Sequence, residues 1–489
     1  MFISKSKFLW GLQCPKLLWH AYTAKHLIPE PDVAQQAIYD QGHEVGALAK
    51  QLYPDGVEVG ENVTDLDETL RLTTEALKLR RPLFEAAFAA NGGYCRVDVL
   101  VPVRRDEWDI IEVKSTTSVK EVHLHDLAFQ SWVLASAGLR VNGCHLLHIN
   151  NAYVRHGPVQ PKQFFHQANL TEQVNEARWG VDDVVSNMAK VIRLPAAPSD
   201  ITIGPHCDKP YTCPLHDLCW SFLPKENVFT LCRGGKKSFR LLDEGIQSLS
   251  EVPDDYPLSR IQEIQRTAAR TGEPHVDRAA LKRLLATLEY PLHFLDFETF
   301  ATAIPLFDGI GPFEQVPFQF SLHIQREPGG RLDHQMFLAQ GRNDPRCEFM
   351  RELKTVIGSQ GSVIVYNAQF EEGILDACAK AVPEFAPWVA DIKDRVVDLM
   401  EPFKAFAYYH PAQLGSYSIK AVLPALTGCG YEHLAIQEGG TASLEFLRVT
   451  FGDVPDEERQ RVRRQLEAYC GLDTEGMVWI IEALRGMVS

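Results

Sequence analysis

A chain of 489 residues with 45% hydrophobic and 23% charged side chains has ordinary globular composition, which excludes a disordered or fibrous protein and predicts roughly two to four domains. Its formal net charge of −15 excludes a generally basic nucleic-acid coat, so such a partner must be met by local basic grooves or by metals held in acidic sites. No apolar run reaches the roughly 18 residues of a membrane span, and "MFISKSKFLWGLQC" lacks the apolar core and small-residue cleavage site of a signal peptide. The expectation is a soluble cytoplasmic protein with no membrane partner.

Three blocks are predicted, with α/β alternation in the first and third. Residues 1–222 begin helical and then give the hairpin strands "YCRVDVLVPV" and "WDIIEVKS", the helix "VHLHDLAFQSWVLASAG" and the strand "NGCHLLHINN". Facing residues of an antiparallel pair have numbers with a constant sum. A turn "VRRDE" centred near Arg105 makes that sum 210 and sets Asp98 opposite Glu112, with Lys114 on the same face. Like charges directly opposite destabilise a sheet. Two carboxylates and a lysine there suggest a divalent metal, with an ammonium at a reacting water or phosphate; a solvated face with a salt bridge is the plainer alternative. The block closes on "GPHCDKPYTCPLHDLCW", where Cys207, Cys213 and Cys219 recur every six residues. In a reducing compartment that pattern favours metal or cluster ligation over disulfides.

Residues 223–288 are polar, helical and Pro-punctuated, which suits a connector. "LLDEGIQSLSEVP" within it resembles a helix-hairpin-helix turn around Gly245 and Ile246, a plain helical linker being the simpler reading. Residues 289–489 open with "HFLDFETF", an apolar strand that carries Asp296 and Glu298 on one face. Two buried anions cost several kcal/mol unless a cation or protons compensate. A strand ends and a helix begins in "VIVYNAQFEEGIL", and "EAYCGLDTEGM" sets Tyr469 and Asp473 four residues apart, on one helix face. Asp398 and Lys420 are weaker candidates, and "RQRVRR" before Tyr469 is either a phosphate track or a solvated face.

These motifs resemble two nuclease families. Asp98 followed by Glu112-Val113-Lys114 is similar to the D…(D/E)-x-K core of PD-(D/E)xK nucleases, especially the RecB-like branch. The resemblance implies that His43 in "DQGHEVGALA" is a further metal ligand and that Gln130 belongs to a Q-x-x-x-Y motif, although position 134 is Leu. CRISPR-associated RecB-like and AddB-type nucleases carry one Cys before the nuclease core and three after it. By that likeness Cys14, Cys207, Cys213 and Cys219 hold a 4Fe–4S cluster that clamps the ends of the domain; zinc is the alternative, the spacing being wider than usual for either.

The third block resembles DnaQ-like exonucleases of the RNase H-like fold. Asp296 and Glu298 match their D-x-E motif, Asn367 and Phe370 flank the second, and Tyr469 with Asp473 match the third. Glu371 stands where that family has Asp. The resemblances imply a PD-(D/E)xK domain with an iron–sulfur clamp, a helical connector, and an RNase H-like domain. Mg²⁺ or Mn²⁺ would be held by His43, Asp98 and Glu112 in one site and by Asp296, Glu298, Glu371 and Asp473 in the other. Lys114 would steady the attacking water or the developing charge, and Tyr469 would orient the water at a 3′–5′ exonuclease centre. The implied partner is nucleic acid, DNA with single-stranded ends above all, in repair or defence. The absence of a P-loop implies a separate helicase for any unwinding. Two other readings are a non-catalytic nucleic-acid-binding scaffold with degenerate sites, and an RNA exonuclease active only at the C-terminal site.

Overall fold

The computed structural model describes residues 2–60 and 62–488. They divide into two compact units, Met1–Ser221 with Thr302–Glu314, and Phe222–Ala301 with Gln315–Ser489. Both are α/β.

The first unit is built on one sheet. Its strands are Ile3–Ser4 (β1), Val57–Glu58 (β2), Leu83–Ala90 (β3), Gly93–Pro102 (β4), Glu107–Lys114 (β5), Arg140–Ile149 (β6) and Phe165–Asn169 (β7). The order is β2-β3-β4-β5-β6-β7, with β1 pairing β4. The β4–β5 rungs run from Val99↔Ile111 to Pro102↔Trp108, each pair summing to 210 as the turn position required. β5 and β6 are parallel, and parallel neighbours need a long crossover, supplied here by the helix Glu121–Ser136. Around the sheet lie Lys5–Gln13 (α1), Pro15–Thr23 (α2), Val33–Lys50 (α3), Leu66–Leu77 (α4), that crossover helix (α5) and Val181–Ile192 (α6). One core layer joins Phe8, Leu18, Val97, Phe129, Trp132 and Met188; a second joins Val45, Ala49, Phe84, Val99, Ile111 and Phe164. Each fully buried Val, Leu, Ile, Phe or Met among them contributes about 1.5–3 kcal/mol by leaving water. The helix α5 is buried over most of its surface, yet it carries Asp126 and Gln130, 1% and 0% exposed, on one face.

The second unit has strands His275–Val276 (β8), Leu292–Phe300 (β9), Val316–Gln325 (β10), Leu332–Leu338 (β11), Val363–Val365 (β12), Val396–Asp398 (β13) and Tyr408–Tyr409 (β14). Five form a sheet in the order β11-β10-β9-β12-β13, and β14 pairs β8 in a separate ribbon. β10 runs antiparallel to both β11 and β9, while β9, β12 and β13 run parallel to one another. The main helices are Arg260–Thr271 (α7), Arg346–Val356 (α8), Ala368–Ala381 (α9), Ile419–Thr427 (α10), Gly439–Phe451 (α11) and Asp456–Val488 (α12). Polar Gln319, Ser321, His323 and Gln325 alternate with apolar residues in "VPFQFSLHIQ", and every residue of β10 is buried. The long helix α12 covers that face and supplies partners. Gln319 Nε2 donates to Leu466 O at 3.0 Å, and Thr474 Oγ1 lies 2.7 Å from Ser321 Oγ and 2.8 Å from His323 Nδ1.

The stretch 223–288, expected as a connector, lies within this unit and has packing of its own. Val228, Leu231, Leu241, Leu249 and Val252 make a small core, and Cys232 and Ala268 pack with Phe406 and Tyr409. Gly415 passes so close that a Cβ there would meet Thr230 O at 2.0 Å, with φ at +78°, so only glycine fits. Gly245 and Ile246 follow the helix Lys236–Asp243, but the next regular α-helix is α7, with only the single turn Leu249–Glu251 between. They therefore do not join two helices by a short hairpin. Among the described residues no helix is long and apolar enough to cross a membrane.

Candidate functional site

In the first unit the predicted residues meet at a defect in the sheet. The β3–β4 ladder has rungs at Phe84↔Val99 and Ala86↔Val97 but none at Glu85 and Asp98 between them, where Glu85 has φ +58°. The β4–β5 ladder stops one step short of Glu112, and the Asp98 carboxylate takes the Val113 N–H instead, at 2.8 Å. Glu112 is fully buried. Its Oε1 accepts from Lys114 Nζ at 2.6 Å and from Lys5 Nζ at 2.8 Å, and its Oε2 from Gln130 Nε2 at 2.7 Å. Asp126 completes the cluster, accepting from Lys114 at 2.9 Å and from Gln130 at 2.9 Å. Burial pushes Asp98 up to about 7, aided by the Glu112 charge. For Glu112 burial works the same way, but Lys114 and Lys5 overcome it and hold the group well below the usual carboxylate range.

One expectation changes here. The Gln130 amide is buried against Glu112 and Asp126, so it positions Glu112 rather than touching a substrate, and Leu134 is a core residue. No hydrogen bond or ion pair among the described residues links His43 to the cluster. α3 buries Val45 and Ala49, and two residues before Val45 is about 200° round the helix, so His43 is exposed. Lys5 and Asp126 carried no motif. The pairing of Asp126 with Gln130, i and i+4 on an apolar helix, was the available signal for the second.

The four cysteines assemble around one patch. Cys14, Cys207 and Cys213 are buried and Cys219 is half-buried; Cys14, Cys213 and Cys219 share a small apolar cluster with Leu17 and Leu215. Gln13 Nε2 ties the end of α1 to His206 O and Tyr211 O at 2.9 and 2.8 Å. Burial pushes the Cys213 thiol up to about 11, with Cys14, Cys207 and Cys219 each adding to the rise.

In the second unit acids from three elements converge. Asp296 and Glu298 come from β9, Glu371 from the first turn of α9, and Asp473 from the middle of α12, with Glu298, Glu371 and Asp473 only 4–7% exposed. Ligand atoms of Asp296, Glu298 and Cys470 all lie within 4.8 Å of one another, the one such set of three among the described residues. The Cys470 thiol donates to Asp296 Oδ2 at 3.5 Å. Tyr431 donates to Asp473, and Lys420 Nζ donates to Tyr469 Oη at 2.9 Å. Glu371 Oε2 is buried without a hydrogen-bond partner. A Cβ on Gly439 would lie 3.5 Å from Glu298 Oε2 and 3.9 Å from Tyr469 Oη, so this glycine keeps one wall of the cluster open.

Burial pushes Glu298 to about 8, reinforced by Asp473, and Glu371 to about 8. Asp296 is driven well above the carboxylate range by burial and then by Asp473, Glu298 and Glu371. Asp473 reaches about 6, burial being partly offset by Tyr431 and Lys420. Tyr431 and Gly439 were missed in the sequence because neither lies in a motif. Asn367 is exposed, and Asp398 is occupied by the N–H groups of Ala368 and Met400. Of the arginine run, Arg459 donates to Val449 O and Arg463 to Leu338 O and Ala339 O. Those two serve the fold rather than a phosphate track.

A family model described as "Domain of unknown function (DUF2779)" matches residues 293–418, a stretch that holds Asp296, Glu298 and Glu371 but ends before Lys420, Tyr469 and Asp473. An uncharacterized protein of Mycoplasma pneumoniae is 27% identical over 217 residues, covering 40% of this chain and 32% of the relative. One from Mycoplasma genitalium is 26% identical over 221 residues, with the same coverage. One from Ureaplasma parvum is 25% identical over 229 residues, covering 42% and 33%. The chain is thus similar to about a third of the length of each of these relatives.

Proposed function

We propose that the chain is a metal-dependent nuclease with two phosphodiester-hydrolysing sites, a RecB-like PD-(D/E)xK site in the first unit and a DnaQ-like 3′–5′ exonuclease site of RNase H-like fold in the second. The observation that carries this reading is the convergence of Asp296, Glu298, Glu371 and Asp473 in one buried place. Buried acids of like charge persist only with protons or a cation. The unpartnered Glu371 oxygen and the space beside Gly439 suit Mg²⁺ or Mn²⁺. Such an ion, when bound, supplies water activation and charge stabilisation at the leaving oxygen.

The chain's own residues do the rest. The four acids hold the metal, and the Tyr469 hydroxyl, fixed by Lys420, orients the attacking water. The three-stranded antiparallel meander extended by two parallel strands supports the RNase H-like reading. In the first unit Asp98 and Glu112 are the metal ligands, Gln130 keeps Glu112 oriented, and Lys114 steadies developing charge. Cys14, Cys207, Cys213 and Cys219, gathered around one patch, would hold a 4Fe–4S cluster, with zinc as the alternative.

The test is cleavage of 5′-labelled single-stranded DNA and RNA with Mg²⁺, Mn²⁺ or a chelator. Shortening from the 3′ end that needs metal and is lost in Asp296→Asn is the expected result. Binding without cleavage under every metal rejects the enzyme in favour of a scaffold. The purified protein should be brown with about four irons per chain; a colourless protein holding one zinc rejects the cluster.

A further inference from the structure

Lys5 opens α1, and its context "SKSKF" marks it as no more than a surface charge. In the fold its ammonium lies among the acids of the first unit, 2.8 Å from Glu112 Oε1, 3.8 Å from Asp126 Oδ1 and 3.9 Å from Asp98 Oδ1. Those oxygens come from β5, α5 and β4. Three carboxylates from three elements converging on one cation is the arrangement a divalent ion would need of the same groups. Lys114 holds a different place, pairing with Glu112 and Asp126 at 2.6 and 2.9 Å.

We infer that Lys5 is a built-in cation occupying the divalent-metal position of the Asp98–Glu112–Asp126 cluster, so that a metal ion binds there only by displacing its ammonium. This rests on the reading of the first unit as a metal-dependent nuclease. Ionised, the three carboxylates exceed Lys5 and Lys114 by one negative charge. A divalent ion added to all five groups leaves an excess positive charge in a largely buried site, which is costly. The same ion with Lys5 expelled leaves the cluster neutral. The exit is open, because the Lys5 side chain is 25% exposed and its flexible four-carbon stem can carry the ammonium to water. The helix need not move. Phe8 on α1 stacks on Phe129 at 4.5 Å, and Ser4 caps the start of α1 through the Lys7 N–H.

The experiment uses the full-length chain carrying Asp296→Asn and Glu298→Gln, so that Mn²⁺ uptake, followed by the electron-spin signal of the free ion, reports the first unit. Lys5→Met should bind Mn²⁺ at least about tenfold tighter than the parent, and Lys5→Arg, which keeps the cation, should bind as weakly as the parent. In the unsubstituted protein, amine labelling read by mass spectrometry should show Lys5 modified severalfold faster once Mn²⁺ is added, and this readout decides if Lys5→Met does not fold. Equal or weaker Mn²⁺ binding in a folded Lys5→Met, or labelling of Lys5 unchanged by Mn²⁺, overturns the inference while leaving the nuclease reading intact provided Asp98→Asn lowers the uptake. Uptake that neither Lys5→Met nor Asp98→Asn alters overturns the metal-site reading of the first unit and the inference with it.

Discussion

The two acidic clusters meet the same difficulty, carboxylates gathered away from water, by opposite means. In the first unit two lysines lie against Asp98, Glu112 and Asp126, and the buried Glu112 stays ionised. In the second, Lys420 lies near Glu298 and Asp473 only, its ammonium engaged with the Tyr469 hydroxyl, and burial pushes Glu298 and Glu371 to about 8. The first cluster sets two cations against three acids, and there Asp98 is pushed up to about 7. The second is left short of positive charge near neutral pH, and so it is where a divalent ion or protons gain most on binding.

That contrast can be broken at its strongest point. Asp296→Asn removes a group at the centre of the second cluster, and losing several kcal/mol of charge stabilisation means roughly a thousandfold slower 3′ exonuclease turnover. Cleavage that depends on Asp98 should be unchanged in the same preparation, so loss of both activities would mean that the clusters are not independent. Glu371→Gln keeps size and drops charge. Metal-dependent exonuclease rate should fall about 10- to 100-fold, while Glu371→Asp should cost less; wild-type rates in both would remove Glu371 from the ligand set. Tyr469→Phe should retain Mn²⁺ affinity in a titration yet slow turnover about tenfold, since only the hydroxyl that orients water is lost.

The smallest effect sharpens the comparison without any substitution. Glu298 and Glu371 at about 8 and Asp473 at about 6 lie above the unfolded values of about 4, so the folded state holds more protons. The associated stability is full below about pH 4 and is lost as pH rises through about 8. Asp98 at about 7 adds in the same sense, and Glu112, held low, opposes only in acid. The melting temperature of metal-free protein should therefore drop by several degrees from about pH 5 to pH 8.5. Millimolar Mg²⁺ should flatten the profile, and Glu371→Gln should reduce the slope. A melting temperature that rises over that interval would mean the second cluster is already compensated.

Much of each site was legible because its members obey a local period. Asp98, Glu112 and Lys114 follow from strand alternation and one hairpin sum, and the ladder keeps that sum. Asp296 with Glu298, and Tyr469 with Asp473, follow from periods of two and four. A period along the chain does not say what covers each face. The polar positions of β10 alternate as if facing water, but α12 covers them. His43 was placed by likeness to a motif, while Val45 and Ala49 turn the other side of α3 inward.

The sequence by itself determined the α/β alternation, the pairing register of the β4–β5 hairpin and the acidic residues at the centre of each cluster, since these depend on side chains within a few positions of one another. Only the tertiary structure decided what those acids face. Lys5 lies 107 positions from Glu112, Lys420 is 49 from Tyr469, and Tyr431 is 42 from Asp473. Electrostatic compensation acts through space over a few ångströms. It leaves no period along the chain, so the difference between a cluster closed by lysines and one left short of charge exists only once the elements have packed.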